Sequence, residues 1–198
     1  SMASRSRQQL EDWLKKIDVK GKVLDIGGSQ NPIGGSRCKT WGANQYIILD
    51  LPVPHENSKT PDILMDIQES LHGGQWEYYE GYFDQVFCLE VAEYWHDPVK
   101  ALRNIAHFMR ENGEIFISFH WLYGLHPPEE QDCLRYSSYA IEKIMEKAGF
   151  MIVRMDVKET TDEAKNHLLN FYREEGMRIT RKDRSLFDEG YLVIARKI

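Results

Sequence analysis

The sequence predicts an α/β fold built on an open, mostly parallel sheet. Short apolar segments alternate with helical patterns along the 198 residues, and the apolar segments are continuous, which is typical of strands buried on both faces. Acidic residues stand at or next to the ends of several segments, namely Asp25, Asp50, Asp66 and Glu90. Because ligands bind outside the carboxyl ends of the strands in such sheets, the pattern predicts a cofactor site along one rim.

Helices are predicted where apolar residues recur at helical spacing, over residues 5–17, 97–111, 138–148 and 162–172. Asp97 can cap the second helix, Pro98 suits its first turn, and Gly149 is a stop signal after the third. The apolar segments predict strands over residues 22–26, 46–49, 62–65, 84–88, 114–119, 150–156 and 190–196. We therefore expect one domain over residues 3–198, with an N-terminal helix in 3–20, a cofactor-binding core in 21–156 and a C-terminal helix and strand in 157–198.

The charge pattern argues against a dedicated nucleic-acid binder. The net charge is −6, and acidic and basic residues are mixed along most of the chain. Nucleic-acid binders normally carry a basic face. A local basic cluster at residues 173–184 also contains acids, so we interpret it as a solvated loop.

Cysteine usage and hydropathy indicate the expected compartment. The chain has 3 cysteines, far apart and without Cys-x-x-Cys spacing, so neither a disulfide framework nor a metal site is expected. A reducing, cytoplasmic location fits this pattern. No segment reaches the roughly 20 apolar residues of a membrane span, and the N-terminus lacks a signal-peptide pattern, so no membrane association is expected.

Residues 22–28 form the most informative segment and read Lys-Val-Leu-Asp-Ile-Gly-Gly. Glycines after a buried strand let the backbone turn sharply and approach a ligand closely. Asp25 stands just before that turn, where the polar groups of a cofactor would lie. Many nucleotide-binding folds share this feature, so the segment becomes specific only in combination with the acidic residues and strands that succeed it along the chain.

Four parts of the sequence occur in a characteristic order, namely Val23 to Gly28, Asp50, Asp66 and residues 83–98. In these parts and their order the chain resembles class I S-adenosylmethionine-dependent methyltransferases, of the small-molecule, methyltransferase-11-like type. The last segment, Phe-Asp-Gln-Val-Phe-Cys-Leu-Glu-Val-Ala-Glu-Tyr-Trp-His-Asp-Pro, is similar to the family's acid-rich fourth-strand signature. The resemblance covers roughly residues 20–156. It implies a Rossmann-like, seven-stranded, mostly parallel sheet with helices on both faces and an antiparallel last strand. It also implies S-adenosylmethionine as the cofactor.

The sequence departs from the family pattern at two places. The family's first motif usually has glycines at three alternating positions, which here hold Gly27, Ser29 and Asn31. Pro32 and the glycines that come after it suggest that the usual next helix is short or displaced. Tyr94 stands where the family often has histidine, so any role of that histidine is not carried over.

The resemblance implies which residues bind the cofactor. Asp50 with Leu51 would take the ribose hydroxyls, Asp66 with Ile67 the adenine, and the glycine turn the methionine end. Asp25 would orient that turn or reach the amine. An alternative interpretation makes these aspartates helix caps and turn formers. The complete cofactor-binding set is Asp25, Gly27, Gly28, Ser29, Asp50, Leu51, Asp66, Ile67, Cys88 and Leu89.

The segment after the fifth strand, His-Trp-Leu-Tyr-Gly-Leu-His, is the best candidate for the acceptor side. His120 is the first choice for a catalytic base and His126 the second, because an oxygen or ring-nitrogen acceptor can require one. Aromatic side chains there could equally cover the edge of the core. The candidate substrate-binding residues are Tyr94, Trp95, Trp121, Tyr123 and Arg135.

The leading hypothesis is methyl transfer to a small-molecule or sugar-like acceptor with an oxygen or nitrogen nucleophile. A catalytically degenerate cofactor-binding partner or scaffold protein is the alternative. A nicotinamide-dependent oxidoreductase is disfavoured because Gly-x-Gly-x-x-Gly is absent. Acceptor identity is not specified by the sequence, and a homodimer is left open.

Overall fold

The computed structural model describes residues 4–52, 59–71, 76–179 and 187–198, which form one seven-stranded sheet. The strands are β1 (Asp18–Ile26), β2 (Thr40–Asp50), β3 (Ile63–Leu64), β4 (Phe83–Cys88), β5 (Met109–His120), β6 (Phe150–Glu159) and β7 (Asp188–Lys197). Their order is β3-β2-β1-β4-β5-β7-β6, and β7 runs antiparallel to both of its neighbours. The predicted fold class is confirmed.

The α-helices among the described residues are α1 (Arg5–Leu14), α2 (Pro98–Phe108), α3 (Ser138–Lys147) and α4 (Asp162–Glu174). Each starts at a capping residue whose side-chain oxygen accepts a backbone N–H, namely Ser4, Asp97, Ser137 and Thr161. No described helix combines the length and apolar character needed to cross a lipid bilayer.

Helices cover both faces of the sheet. On one face, α2 and α3 contribute Leu102, Ile105 and Ile141 to a cluster that includes the strand residues Leu24 and Ile117. On the other face, α1 packs its buried residues, including Leu10 and Trp13, against strand residues such as Val23 and Phe116. The strands are continuously apolar because both of their faces are buried, as the sequence pattern predicted.

Strand register places the candidate site. Asp25 of β1 pairs with Ile48 of β2, and Ile26 pairs with Cys88 of β4, so these parallel strands end at one edge. The chain order reverses between β1 and β4, since β2 and β3 lie on one side and β5 on the other. Such a switch point is where open α/β sheets form a ligand crevice.

Several predicted boundaries were wrong, among them the start of the first strand, which lies at Asp18 rather than at residue 22. The second helix ends at Phe108 rather than at residue 111, because Met109 is fully buried, is extended and pairs with Phe83 at the start of β5. The second strand begins at Thr40, well before residue 46. The residues between β1 and β2 are all described, and they form no α-helix.

Candidate functional site

A cleft of about 850 Å³ opens at the carboxyl ends of β1, β2 and β4. Its walls combine aliphatic side chains with carboxylates, amides and imidazoles. The lining residues are Ile26, Gly27, Gln30, Leu49, Asp50, Leu51, Met65, Asp66, Ile67, Gln68, Glu90, Val91, Tyr94, Trp95, His96, His126, Pro127, Pro128, Gln131 and Cys133.

The glycine turn after β1 requires both of its glycines. Gly27 has φ +73°, and a Cβ there would lie 2.4 Å from a methyl group of Val91. A Cβ at Gly28 would lie 2.3 Å from the carboxyl group of Asp25. The backbone of this turn can therefore lie against the cleft only because side chains are absent.

Asp25 lies beneath the loop after β1 and does not line the cleft. Its Oδ2 accepts hydrogen bonds from the backbone N–H of Ile33 at 2.8 Å and from the hydroxyl of Tyr46 at 2.5 Å. Burial raises the pKa of Asp25 to about 6, although both hydrogen bonds act in the opposite direction. Its contacts hold the loop in place, the first of the two roles that the sequence suggested.

Asp50 and Asp66 lie on the cleft wall, each fixed by backbone contacts. Asp50 accepts the N–H groups of Ser29 at 3.2 Å and Leu51 at 2.8 Å. Asp66 accepts the N–H of Gln68 at 2.9 Å. Since each carboxylate oxygen has two lone pairs, both side chains retain capacity to accept hydrogen bonds from a ligand.

The structure therefore divides the predicted cofactor residues into two groups. Those that line the cleft are Gly27, Asp50, Leu51, Asp66 and Ile67. Those that do not are Asp25, Gly28, Ser29, Cys88 and Leu89. Cys88 is fully buried within the sheet core, and this burial raises the pKa of its thiol.

A buried carboxylate organises the opposite side of the cleft. Glu93 is fully buried in a short 3₁₀ turn after β4. Its Oε1 lies 3.0 Å from Nδ1 of His126 and 3.3 Å from Nε2 of His120. The hydroxyl of Tyr94 lies 2.5 Å from the same Nδ1 of His126.

This cluster shifts the pKa values of its members. Burial alone would raise the pKa of Glu93, but the two imidazoles outweigh burial and lower it to about 2. The pKa of His126 is raised, chiefly by Glu93, against the opposing effect of its own partial burial. We infer an ionised Glu93 beside a histidine of increased basicity.

His120 and His126 differ in their access to the cleft. The ring of His120 is 1% exposed and stacks on Tyr123 with the ring centroids 4.1 Å apart. Its Nδ1 lies 3.5 Å from Nζ of Lys158, whose pKa is lowered by burial. His126 is only partly buried and lines the cleft. Of the two predicted bases, only His126 can meet a ligand there directly.

The predicted substrate-binding residues also divide. Tyr94 and Trp95 line the cleft, whereas Trp121, Tyr123 and Arg135 do not. Arg135 donates to both carboxylate oxygens of Asp132, at 2.5 and 2.7 Å, and to nearby carbonyls. These bonds fix the loop that carries His126, because Asp132 also accepts the N–H of His126.

Two polar residues of the cleft, Gln68 and Glu90, are not among those to which the sequence assigns a role, although Glu90 is one of the acids expected at the rim. Gln68 accepts the N–H groups of His96 and Asp97, joining the loop after β3 to the start of α2. Glu90 lines the cleft and pairs with Arg7 of α1 at 2.6 Å. Its position after β4 was the available signal. Nothing in the local sequence indicated that Arg7 would reach it.

Comparisons with known proteins agree with this architecture. A family model described as a methyltransferase domain matches residues 2–155. No protein of curated function matches the chain by sequence.

Solved structures that resemble this chain have low sequence identity to it and therefore show the fold alone. One is a chain from the Haloferax volcanii complex between the Trm112 methyltransferase activator and a protein described as a methyltransferase. It is 15% identical to this chain, the TM-score is 0.62, and the match covers 98% of this chain and 89% of that one. Another is an S-adenosylmethionine-dependent methyltransferase from Mesorhizobium loti, with 16% identity, TM-score 0.59 and coverage of 97% and 98%. A third, from Archaeoglobus fulgidus, has 16% identity, TM-score 0.56 and coverage of 98% and 92%.

Proposed function

The chain belongs to the methyltransferase-domain family, and we propose that it transfers a methyl group to an oxygen or nitrogen of a small-molecule or sugar-like acceptor. Its cofactor is S-adenosylmethionine. The observation that carries the proposal is the cleft itself, because Asp50 and Asp66 lie on its wall together with His126.

The residues of the cleft fit this cofactor. Its volume of about 850 Å³ lies within the range of small-molecule sites, about 300–1,000 Å³. Asp50 would hold the ribose hydroxyls, and Asp66 with Ile67 would hold the adenine. Gly27 lines the cleft, and the backbone of its turn would meet the methionine end.

When bound, the cofactor would supply a methyl group on a sulfonium, a good leaving group, for transfer to the lone pair of the acceptor. The protein's main contribution to such a reaction is to align the acceptor and exclude water. Trp95 and Val91 provide apolar wall beside the polar groups of Tyr94 and His126.

We assign the acceptor's proton to Nε2 of His126. Its Nδ1 faces Oε1 of Glu93 and the hydroxyl of Tyr94, whereas Nε2 has no hydrogen-bond partner among the described residues. A neighbouring carboxylate stabilises the imidazolium that forms when Nε2 takes a proton. We place His120 behind Glu93, as a positioning residue rather than the base that its sequence position suggested.

A methyl-transfer assay tests the proposal. Purified protein is incubated with S-adenosylmethionine and a panel of phenols, sugars, amines and nitrogen heterocycles, and S-adenosylhomocysteine is measured by mass spectrometry. We expect acceptor-dependent product that is lost in Asp50→Ala. Failure to bind S-adenosylhomocysteine at all would overturn the proposal.

One observation favours the alternative of a cofactor-binding partner or scaffold protein. The segment between β1 and β2 lacks the helix that usually comes after the glycine motif, whereas the sequence predicted a short or displaced one. Binding of S-adenosylhomocysteine without methyl transfer to any acceptor of the panel would favour this alternative.

A further inference from the structure

We propose that Glu93, His120 and His126 form a binding site for a divalent transition-metal ion. Each residue offers one donor atom, and the three donor atoms lie within 4.8 Å of one another. The site adjoins the cleft through His126. The inference concerns ion binding and does not depend on which acceptor the protein methylates.

Buried polar atoms of this cluster lack hydrogen-bond partners among the described residues. Both carboxylate oxygens of Glu93 and Nε2 of His120 are buried without a properly directed hydrogen bond among the described residues. An unsatisfied buried polar group destabilises the folded state, and more so when it is charged. A shared cation would satisfy all of these atoms at once.

The spacing of the donor atoms suits a shared ion. Two donors that are each about 2.1 Å from a shared ion stand about 3.0 Å apart in octahedral geometry and about 3.4 Å apart in tetrahedral geometry. The distances from Oε1 of Glu93 to the nitrogens of His126 and His120 are 3.0 and 3.3 Å. Both separations match those of two donors that share one ion.

Backbone hydrogen bonds already hold the three ligand residues in place. The backbone carbonyl of Glu93 accepts the N–H groups of Cys133 and Leu134, at 2.8 and 2.9 Å. The carbonyl of His120 accepts the N–H of Tyr136 at 2.8 Å, and Asp132 accepts the N–H of His126. Ligands fixed by such contacts lose little freedom when they bind an ion.

The donor set limits the kind of ion. Two imidazoles and one carboxylate suit Zn²⁺, Co²⁺ or Fe²⁺ better than Mg²⁺ or Ca²⁺, which prefer oxygen ligands. Three protein ligands leave further coordination positions open, and His126 places them at the cleft. A ligand with a hydroxyl or carboxylate group could occupy them.

The charges around the site are of both signs. Asp132 and Glu90 lie near His126, whereas Lys158 lies 3.5 Å from Nδ1 of His120. The ion would neutralise Glu93, and its attraction to the acids opposes its repulsion by Lys158.

Titration with Co²⁺ tests the inference. Untagged full-length protein is first stripped with a chelator, Co²⁺ is then added, and its visible absorption is monitored, with Zn²⁺ as the competitor. We expect one equivalent of Co²⁺ to bind and to be displaced by Zn²⁺. His126→Ala and Glu93→Gln should each weaken binding at least tenfold, while His167→Ala, on the exposed surface of α4, should not change it.

A second measurement covers variants that fail to fold. Zn²⁺ should raise the melting temperature of the wild type and of His167→Ala, and should raise it less in His126→Ala, whose partly exposed side chain can be truncated without a buried cavity. Equal binding by the wild type and His126→Ala, or no stoichiometric binding, would overturn the inference. Calorimetry with S-adenosylhomocysteine on the same samples separates this outcome from failure of the proposed function.

Discussion

Oε1 of the buried Glu93 lies 3.0 Å from Nδ1 of His126, at the edge of the cleft that Asp50 lines. This contact joins the turn after β4 to the loop after β5. It fixes one nitrogen of the ring and leaves the other for a ligand. The proposed chemistry depends on this arrangement.

Removal of His126 should affect turnover much more than cofactor affinity. A positioned general base typically contributes about 10²–10⁴-fold, so we expect His126→Ala to lower kcat by a factor in that range. The dissociation constant for S-adenosylhomocysteine, measured by calorimetry, should change less than threefold. His167→Ala is the control, and equal losses of kcat and affinity in His126→Ala would indicate a structural role.

The pH dependence of turnover should report the influence of Glu93 on His126. A base must be neutral to accept a proton, so kcat should rise as the pH passes through the pKa of His126. Because Glu93 raises that pKa, Glu93→Gln should move the rising limb to lower pH and reduce the maximal rate. The experiment compares metal-free wild type and Glu93→Gln between pH 5 and 9. An unshifted limb would remove Glu93 from this role.

Asp50→Ala should weaken binding of S-adenosylhomocysteine by about 1–3 kcal/mol, or about 5- to 150-fold, because ribose hydroxyls would lose their acceptor. The variant also loses its bonds to Ser29 and Leu51. Asp62→Ala is the matched control, because Asp62 likewise accepts a backbone N–H, from Ile48, but lies outside the cleft. Unchanged affinity in Asp50→Ala would exclude Asp50 from the site.

Asp25 should make folding stability fall as the pH rises through the acid range. Its folded pKa, about 6, exceeds the ordinary 3.8, so the folded state binds the proton more tightly. The stability it contributes is present below pH 3.8 and is lost as the pH rises through about 6, in all about 3 kcal/mol.

Asp25→Asn should lack this loss and should gain stability relative to the wild type between pH 4 and 7. The measurement is urea unfolding at both pH values. Asp12→Asn, which changes an exposed aspartate of α1, should retain the wild-type dependence. Parallel profiles for the wild type and Asp25→Asn would show that Asp25 is not held as described.

Gly28→Ala should destabilise the glycine turn. The new Cβ would lie 2.3 Å from the Asp25 carboxyl group, which is itself held by Tyr46 and Ile33. We expect a loss of about 1–3 kcal/mol in unfolding free energy, the usual cost of overpacking. Gly124→Ala is the control, because nothing lies within 4 Å of a Cβ there. A loss no larger than that of Gly124→Ala would contradict the packing described.

The sheet and the edge at which the cleft opens could be predicted from the sequence because those signals are local. Continuous apolar segments and their terminal acids require no knowledge of distant contacts, so Asp50 and Asp66 could be placed on the cleft. Asp25 carries the same signal, but its side chain bonds to Ile33 and Tyr46 beneath the loop. Because successive side chains of a strand point to opposite faces of the sheet, Asp25 points away from the face of Ile26, which lines the cleft.

The Glu93 cluster could not be predicted because its members come from three separate segments. His120 is the last residue of β5 and His126 lies in the loop after it, but stacking on Tyr123 buries the first, while the Asp132–Arg135 pair holds the loop that carries the second. The spacing of these residues along the chain does not indicate those contacts.

A crystal structure of the protein with S-adenosylhomocysteine tests the central claim most directly. We predict that the ribose hydroxyls bind Asp50, that the adenine lies beside Asp66 and Ile67, and that the sulfur faces the side of the cleft formed by Tyr94 and His126. A ligand bound elsewhere, or one whose sulfur faces away from His126, would contradict the account.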